Sequence, residues 1–340
     1  MEAFCMCFSF KLLTRLSIFA LCFSTIAFAK PKKADQAKPV PVIFDTDMDT
    51  DCDDAGALAI LHALADKGEV EILGTVVSSH YPYSAPCVEA INRYYGRPNL
   101  PVGAPKRPGA PIDRGSRYAR QIAEEFQTEL QTNDDARDAV EVYREILAQQ
   151  PDHSVKIVTV GYVTNVADLM ESKPDKYSPM NGMELIKQKV KIWVCMGGRY
   201  PKHLNPGVFG NFKPDPASAV QAAEDWPGTI VFTGLGTEIL TGSNRGQMKE
   251  NNPVRRVYDL YLKKKAARPS WDLMAVLYAA RPNADYWDLK KGGYNHIYEN
   301  GTNAWKQGDV THHRLLKLKS GTQKKVNRLL DDLMVFSREK

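Results

Sequence analysis

At 340 residues, with 43% hydrophobic and 25% charged residues, the chain can bury a large core, as one α/β domain or as two smaller ones, and nothing in it reads as disordered. Its formal charge of +5, from 45 basic against 40 acidic residues, is dispersed along the chain. Basic clusters such as Lys263 to Lys265 are too short for a nucleic-acid footprint.

Lys11 and Arg15 precede the apolar run LSIFALCFSTIAFA, which closes on Ala27-Phe28-Ala29. That pattern predicts a secretory signal peptide over residues 1–29 and export to the periplasm or beyond. The run is short for a membrane span, and Leu21 ahead of Cys22 is too bulky for a lipoprotein cleavage site, so no stable membrane anchor is expected. Residues 30–40 read as a polar linker, and residues 41–340 as one α/β domain. Cleavage leaves Cys52, Cys87 and Cys195, too widely spaced for a disulfide framework and without a zinc-type pair; Cys87 and Cys195 are expected in the core.

Strand-length apolar runs then alternate with segments of helical period. VPVIFD leads into a buried helix over residues 54–65, and VEILGTVVSS returns to strand character. A helix capped by Ser84 and stopped at Gly96 follows. AVEVYREILAQ, VTNVADLME and DPASAVQAAEDW are helical, VKIVTVG, KIWVCMGG and TIVFTG are strands, and a further helix opens at Ser270-Trp271-Asp272. The final third, ending in TQKKVNRLLDDLMVFS, is expected to be helical cover for the same domain. This order predicts a parallel sheet with helices on both faces. Ligands gather outside the carboxyl ends of such strands, which directs attention to residues 45–54, 78–83, 160–165, 197–211 and Asp272.

The first of these, FDTDMDTDCDD, holds six aspartates within residues 45–54. Like charges at that density raise one another's pKa and oppose folding unless a cation gathers them. A helix N-terminus offsets one or two of them by roughly 0.3 to 1 kcal/mol each, too little for six. Oxygen-only ligands suit a hard cation, Ca²⁺ before Mg²⁺. An EF-hand frame counted from Asp45 puts Thr50 where Gly is needed and Gly56 where Glu is needed. A phosphatase frame of the haloacid dehalogenase type finds Asp49 or Asp51 where it needs Thr or Val.

A strand, Asp-x-Asp, a turn and Asp-Asp-Ala opening a helix, here Asp45, Asp47, Asp53, Asp54 and Ala55, resembles the N-terminal signature of the inosine-uridine-preferring nucleoside hydrolase family. The resemblance continues in the family's order through EILGTVVSS, VTVGYVTNVADL, KIWVCMGGRY, GNFKPDPASA and SWDLMAVLYAARP. It implies an open, mostly parallel, Rossmann-like α/β sheet and a Ca²⁺-dependent hydrolase of the N-glycosidic bond of ribonucleosides. By that resemblance Asp47 is the general base and a metal ligand, Asp54, Asp272 and the Val160 carbonyl complete the metal site, and Asp53 and Asn211 bind ribose hydroxyls. The partner is then a small nucleoside or riboside rather than a nucleic acid polymer, and a homo-oligomer is expected.

The departures are also specific. The loop is about two residues longer than the family's around Thr50 and Asp51, Asp49 stands in place of Gly, and Ser78-Ser79-His80 replaces an Asn that usually faces ribose. Phe209 stands in place of a Glu, with Asn205 and His203 upstream as substitutes, and Trp271 stands where many members carry a His toward the leaving group. Ser79, His80, Asn205 and Trp271 are therefore expected at the substrate, with Tyr81, Tyr83, Tyr200 or His203 near the leaving group. Two other readings stand beside the hydrolase. One is a non-catalytic protein that keeps the metal and a riboside, and the other is a metal-dependent phosphatase, disfavoured because Arg199 is the only tempting cation for a phosphate.

Overall fold

The computed structural model describes residues 38–48, 50–112, 118–208 and 210–337, apart from the His203 side chain. The expected signal peptide and most of the linker, together with Asp49 and Phe209, lie outside the described residues. In chain order the elements are β1 (Val40–Thr46), α1 (Asp53–Asp66), β2 (Val70–Val77), α2 (Ser84–Tyr94), β3 (Val102–Ala104), α3 (Ala119–Glu125), β4 (Arg137–Asp138), α4 (Ala139–Gln149) and β5 (Val155–Thr159). Then come α5 (Thr164–Glu171), α6 (Gly182–Lys189), β6 (Val190–Met196), β7 (Lys202–His203), α7 (Pro216–Asp225), β8 (Ile230–Thr233), β9 (Leu240–Thr241) and α8 (Pro253–Leu262). The chain closes with β10 (Arg268–Pro269), α9 (Trp271–Ala280), β11 (Trp287–Lys290), β12 (Tyr294–Ile297), β13 (Asn303–Lys306), β14 (His313–Leu318) and α10 (Gln323–Met334).

Nine strands form the main sheet in the order β11-β14-β8-β6-β5-β1-β2-β3-β4. Every pairing is parallel except that of β11 with β14, so the mostly parallel sheet expected from the alternating pattern is present. β1 lies between β2 and β5, the place where the winding reverses direction. A crevice opens outside the carboxyl ends at such a reversal, and here both Asp47 and Val160 leave their strands there.

β1 is covered on both faces, with Val42, Ile43 and Phe44 buried, as a central parallel strand requires. α1 has twelve buried residues of fourteen, so its Ala, Leu and Ile positions serve as an all-round apolar rod rather than an amphipathic one. Cys52, Cys87 and Cys195 are free thiols in the core.

Two expectations need correction. The last third is not only helical cover: β11 and β14 extend the main sheet, and β12 and β13 pair with β7 in a small antiparallel sheet. Their short apolar runs are broken by Lys, Arg and His, which hides the strand period. Nor is Ser84 the cap of α2, because its hydroxyl donates to the Met48 carbonyl at 2.9 Å and the cap position falls on Tyr83. Ser84 thereby ties α2 to the acidic loop. No helix among the described residues is long and apolar enough to cross a membrane.

Arg144 on α4 is buried and holds the segment between α5 and α6. It makes a two-pronged ion pair with Asp175 at 2.7 and 3.0 Å, and also donates to the Ser172 hydroxyl and the Met180 carbonyl. That contact holds the Asp175 carboxyl down to about 2. Asp45, at the end of β1, is fully buried and accepts from the Tyr143 hydroxyl at 2.9 Å and from the Asn165 amide at 3.2 Å. Burial pushes its carboxyl up to about 7, even against these donors.

Removing Arg144 with an Ala substitution should cost roughly 1 to 3 kcal/mol in urea unfolding, since the buried Ser178 carbonyl and the half-buried Met180 carbonyl lose their donor while Asp175 still reaches solvent. For Asp45 the pH dependence has a definite sign. A buried acid whose folded pKa is raised contributes stability below its unfolded value near 3.8 that is lost as the pH rises to about 7. With divalent cations chelated, wild-type stability should fall relative to Asp45→Asn by about 1.4 kcal/mol per pH unit across that window. Parallel unfolding free energies for the two proteins from pH 5 to 7 would contradict this assignment.

Candidate active site

The segment after β1 turns back sharply to enter α1. The Thr50 amide and hydroxyl both donate to the Asp47 carbonyl, at 3.2 and 3.0 Å, and Tyr118 donates to the Asp51 carbonyl at 2.6 Å. Gly161, after β5, approaches this turn so closely that an added Cβ would lie 2.2 Å from the Asp47 amide nitrogen, a contact only glycine permits. The turn brings Asp47, Asp53 and Asp54 into the interior, each at most 2% exposed, with Asp51 half-buried beside them. Asp272 arrives from the first turn of α9 and is equally buried.

Apart from Asp53, which is not among its walls, these groups line a cavity of about 370 Å³ together with the Val160, Met196, Tyr200, Asn211, Thr237, Arg268 and Trp271 segments. Thr46 donates its hydroxyl to Asp54. Asn211 donates its amide to the Val160 carbonyl and to the Met196 carbonyl, so the expected sugar contact and the expected backbone ligand are neighbours. Asp53 accepts from the Asp272 amide and from Arg268 Nε, each at 3.3 Å. Arg268 Nη2 pairs with Asp51. The guanidinium lies 4.9 Å from the Tyr261 ring centroid and 5.2 Å from that of Trp271, whose indole N–H donates to Thr237 at 3.1 Å.

Burial, and then the proximity of the other carboxylates, pushes Asp53, Asp54 and Asp272 well above the usual carboxylate range. Asp51 is held below it in spite of burial, by its hydrogen bonding with Asp53 and by Arg268. Burial and mutual repulsion thus favour the neutral forms of Asp53, Asp54 and Asp272, while Arg268 favours the ionised form of Asp51. Carboxylate oxygens of Asp51, Asp53 and Asp272 lie within 4.8 Å of one another, and Asp272 Oδ1 is buried with no hydrogen-bond partner among the described residues. A donor set made only of oxygens, with one orphaned carboxylate oxygen, fits a hard divalent cation.

Of the residues expected at the substrate, Asn211 and Trp271 line this cavity and Asp53 stands behind it, bonded to Arg268 and Asp272. Ser79, His80 and Asn205 are not among its walls. Ser79 is buried and its hydroxyl accepts from the Tyr81 amide, His80 is half-buried, and Asn205 is exposed and folds onto the Gly207 amide at 2.9 Å in a local turn. Tyr81 and Tyr83 pack on one another at 5.8 Å, whereas Tyr200 does reach the cavity. Arg268 and Thr237 are the wall residues that motif reading misses. The signal for Arg268 was an unanswered excess of acid at Asp51.

A model of the inosine-uridine preferring nucleoside hydrolase family matches residues 42–327. Among solved structures, a purine-preferring ribonucleoside hydrolase from Gardnerella vaginalis superposes with a TM-score of 0.64 at 17% identity, covering 86% of this chain and 98% of that one. An inosine-uridine preferring nucleoside hydrolase from Bacillus anthracis gives 0.63 at 16% identity, covering 86% and 99%. A plant nucleoside hydrolase gives 0.64 at 15%, covering 88% and 100%. At these identities the superpositions speak to the fold. No protein of curated function matches the chain. The family match, over most of the chain and all of its acidic site, decides the assignment: the chain belongs to the inosine-uridine preferring nucleoside hydrolase family, and is an enzyme of that kind, a hydrolase of N-glycosyl bonds.

Proposed function

We propose that the chain is an exported, Ca²⁺-dependent hydrolase of ribonucleosides or related N-ribosides, with Asp47 as its general base. The observation that carries this reading is the convergence of Asp47, Asp54, Asp272 and the Val160 segment on one buried cavity at the reversal point of the sheet. Asp47, Asp54, Asp272 and the Val160 carbonyl are the groups that would hold the ion. When bound, Ca²⁺ supplies positive charge that satisfies these carboxylates, favours deprotonated water and attracts vicinal hydroxyls.

The residues themselves do the rest. Asp47, on the cavity wall, takes a proton from the attacking water. Asp53, fixed through both its oxygens by Arg268 and the Asp272 amide, accepts from a ribose hydroxyl. Asn211 has both its amide hydrogens directed at carbonyls, so its side-chain oxygen is the atom left to accept from the sugar. The buried carboxylates favour the positive charge that grows on the sugar as the C1′–N bond breaks. Trp271 offers a flat apolar face to the base, because its indole N–H is already committed to Thr237.

Incubation of the mature chain with a panel of purine and pyrimidine ribonucleosides should release reducing sugar in the presence of Ca²⁺. A chelator should abolish release and readded Ca²⁺ restore it. Asp47→Ala should lower kcat by at least about a thousandfold while leaving the thermal midpoint within a few degrees, in keeping with loss of a group that acts in the transition state. Ca²⁺-dependent nucleoside binding without sugar release would sink the proposal.

A further inference from the structure

Breaking an N-glycosidic bond leaves the electron pair on the base nitrogen, so a leaving base needs a proton or a positive charge beside it. The cavity walls among the described residues carry no His, and Trp271 has spent its only donor on Thr237. Two cations remain on the walls, Arg199 and Arg268. Arg199 is exposed. Arg268 is half-buried and locked: Nε on Asp53, Nη2 on Asp51, and the guanidinium over the Tyr261 and Trp271 rings. Nη1 is the amine of the fork that no described residue accepts from.

We propose that Arg268 is a catalytic residue on the leaving-group side, donating a hydrogen bond and lending positive charge to the departing base that shares the cavity with Trp271. The inference rests on the hydrolase reading above. In balance, the C1′–N bond breaks with its electron pair passing to the base nitrogen. Water oxygen bonds to C1′ and gives one proton to Asp47. The guanidinium keeps its protons, since Arg does not ionise in this range. The base anion takes its proton from solvent, and Asp47 returns its own there. Asp51, in the part of the loop that exceeds the family's length, is then the positioning residue that fixes the guanidinium.

The test compares two substrates with the Ca²⁺-loaded full chain: a ribonucleoside, and 4-nitrophenyl β-D-ribofuranoside, whose nitrophenolate departs without assistance. Arg268→Gln should lower kcat on the nucleoside about a hundredfold, the loss expected for one preorganised donor, while changing the nitrophenyl riboside less than about threefold. Arg268→Lys should restore part of the nucleoside rate. Asp51→Asn, which keeps Arg268 but loosens it, should show the same split at about tenfold, and it carries the test if Arg268→Gln does not fold. Equal losses on both substrates would place Arg268 at the ribose through Asp53, and unchanged rates would make it a counter-ion only; either overturns the inference. A split seen in Tyr200→Phe but not in the Arg268 variants overturns it in favour of the tyrosine hydroxyl. A wild-type chain that cleaves neither substrate overturns the hydrolase reading itself.

Discussion

A cluster of carboxylates buried at the carboxyl end of β1 is the constraint to which the surrounding elements respond. Taking ionised carboxylates out of water costs several kcal/mol apiece unless protons, partners or a cation answer them. Here the partners are visible. Thr46 donates to Asp54, the Asp272 amide donates to Asp53, the Asp53 amide at the start of α1 donates to Asp51, and Arg268 crosses from β10 to meet Asp51. What these donors leave unanswered, notably Asp272 Oδ1, is what a divalent cation would take.

The topology explains why the cluster can exist at all. Because β1 and β5 flank the reversal of winding, the chain leaves them in opposite directions, and the two exits leave a crevice that neither connection fills. Gly161 on one exit lets the backbone press against Asp47 on the other, so the narrowness of the site is set by a missing side chain. Behind it, Asp45 is bound by Tyr143 and Asn165 from α4 and α5, which anchors the strand end to helices on the far side of the sheet. The functional carboxylates thus stand on a strand end whose own backbone is fixed from below.

Much of this was legible in the sequence because two independent signals agreed: apolar runs alternating with helical periods pointed to the parallel sheet, and Asp-x-Asp before an Asp-Asp helix start pointed to the buried acidic cluster at its carboxyl end. Legibility failed where one signal stood alone. The strands from Trp287 to Leu318 carry Lys, Arg and His among short apolar runs: β11 is an edge strand, β12 and β13 belong to a small antiparallel sheet, and β14, though inside the main sheet, still carries His313, Arg314 and Lys317. Ser79, His80 and Asn205 were placed at the substrate by counting along the chain, yet Asn205 satisfies its own turn and Ser79 its neighbour's amide. Polar residues in loops often serve the loop, and composition does not distinguish that use from ligand binding.

The acidic loop gains its meaning from a residue more than two hundred positions away. Asp51 alone would add one more repulsive charge to a crowded site; paired with Arg268 its carboxyl is held below the usual range while those of Asp53, Asp54 and Asp272 are pushed above it. That pairing also fixes a guanidinium between the acidic pair and two aromatic rings, bonded to two of the three carboxylates that approach one another closely enough to hold an ion. Asp51 and Arg268 are therefore one device. Charge balance accounts for Asp51 meeting some cation; a planar, forked one is required because Nε reaches Asp53 while Nη2 reaches Asp51 and the guanidinium lies beside the Tyr261 and Trp271 rings.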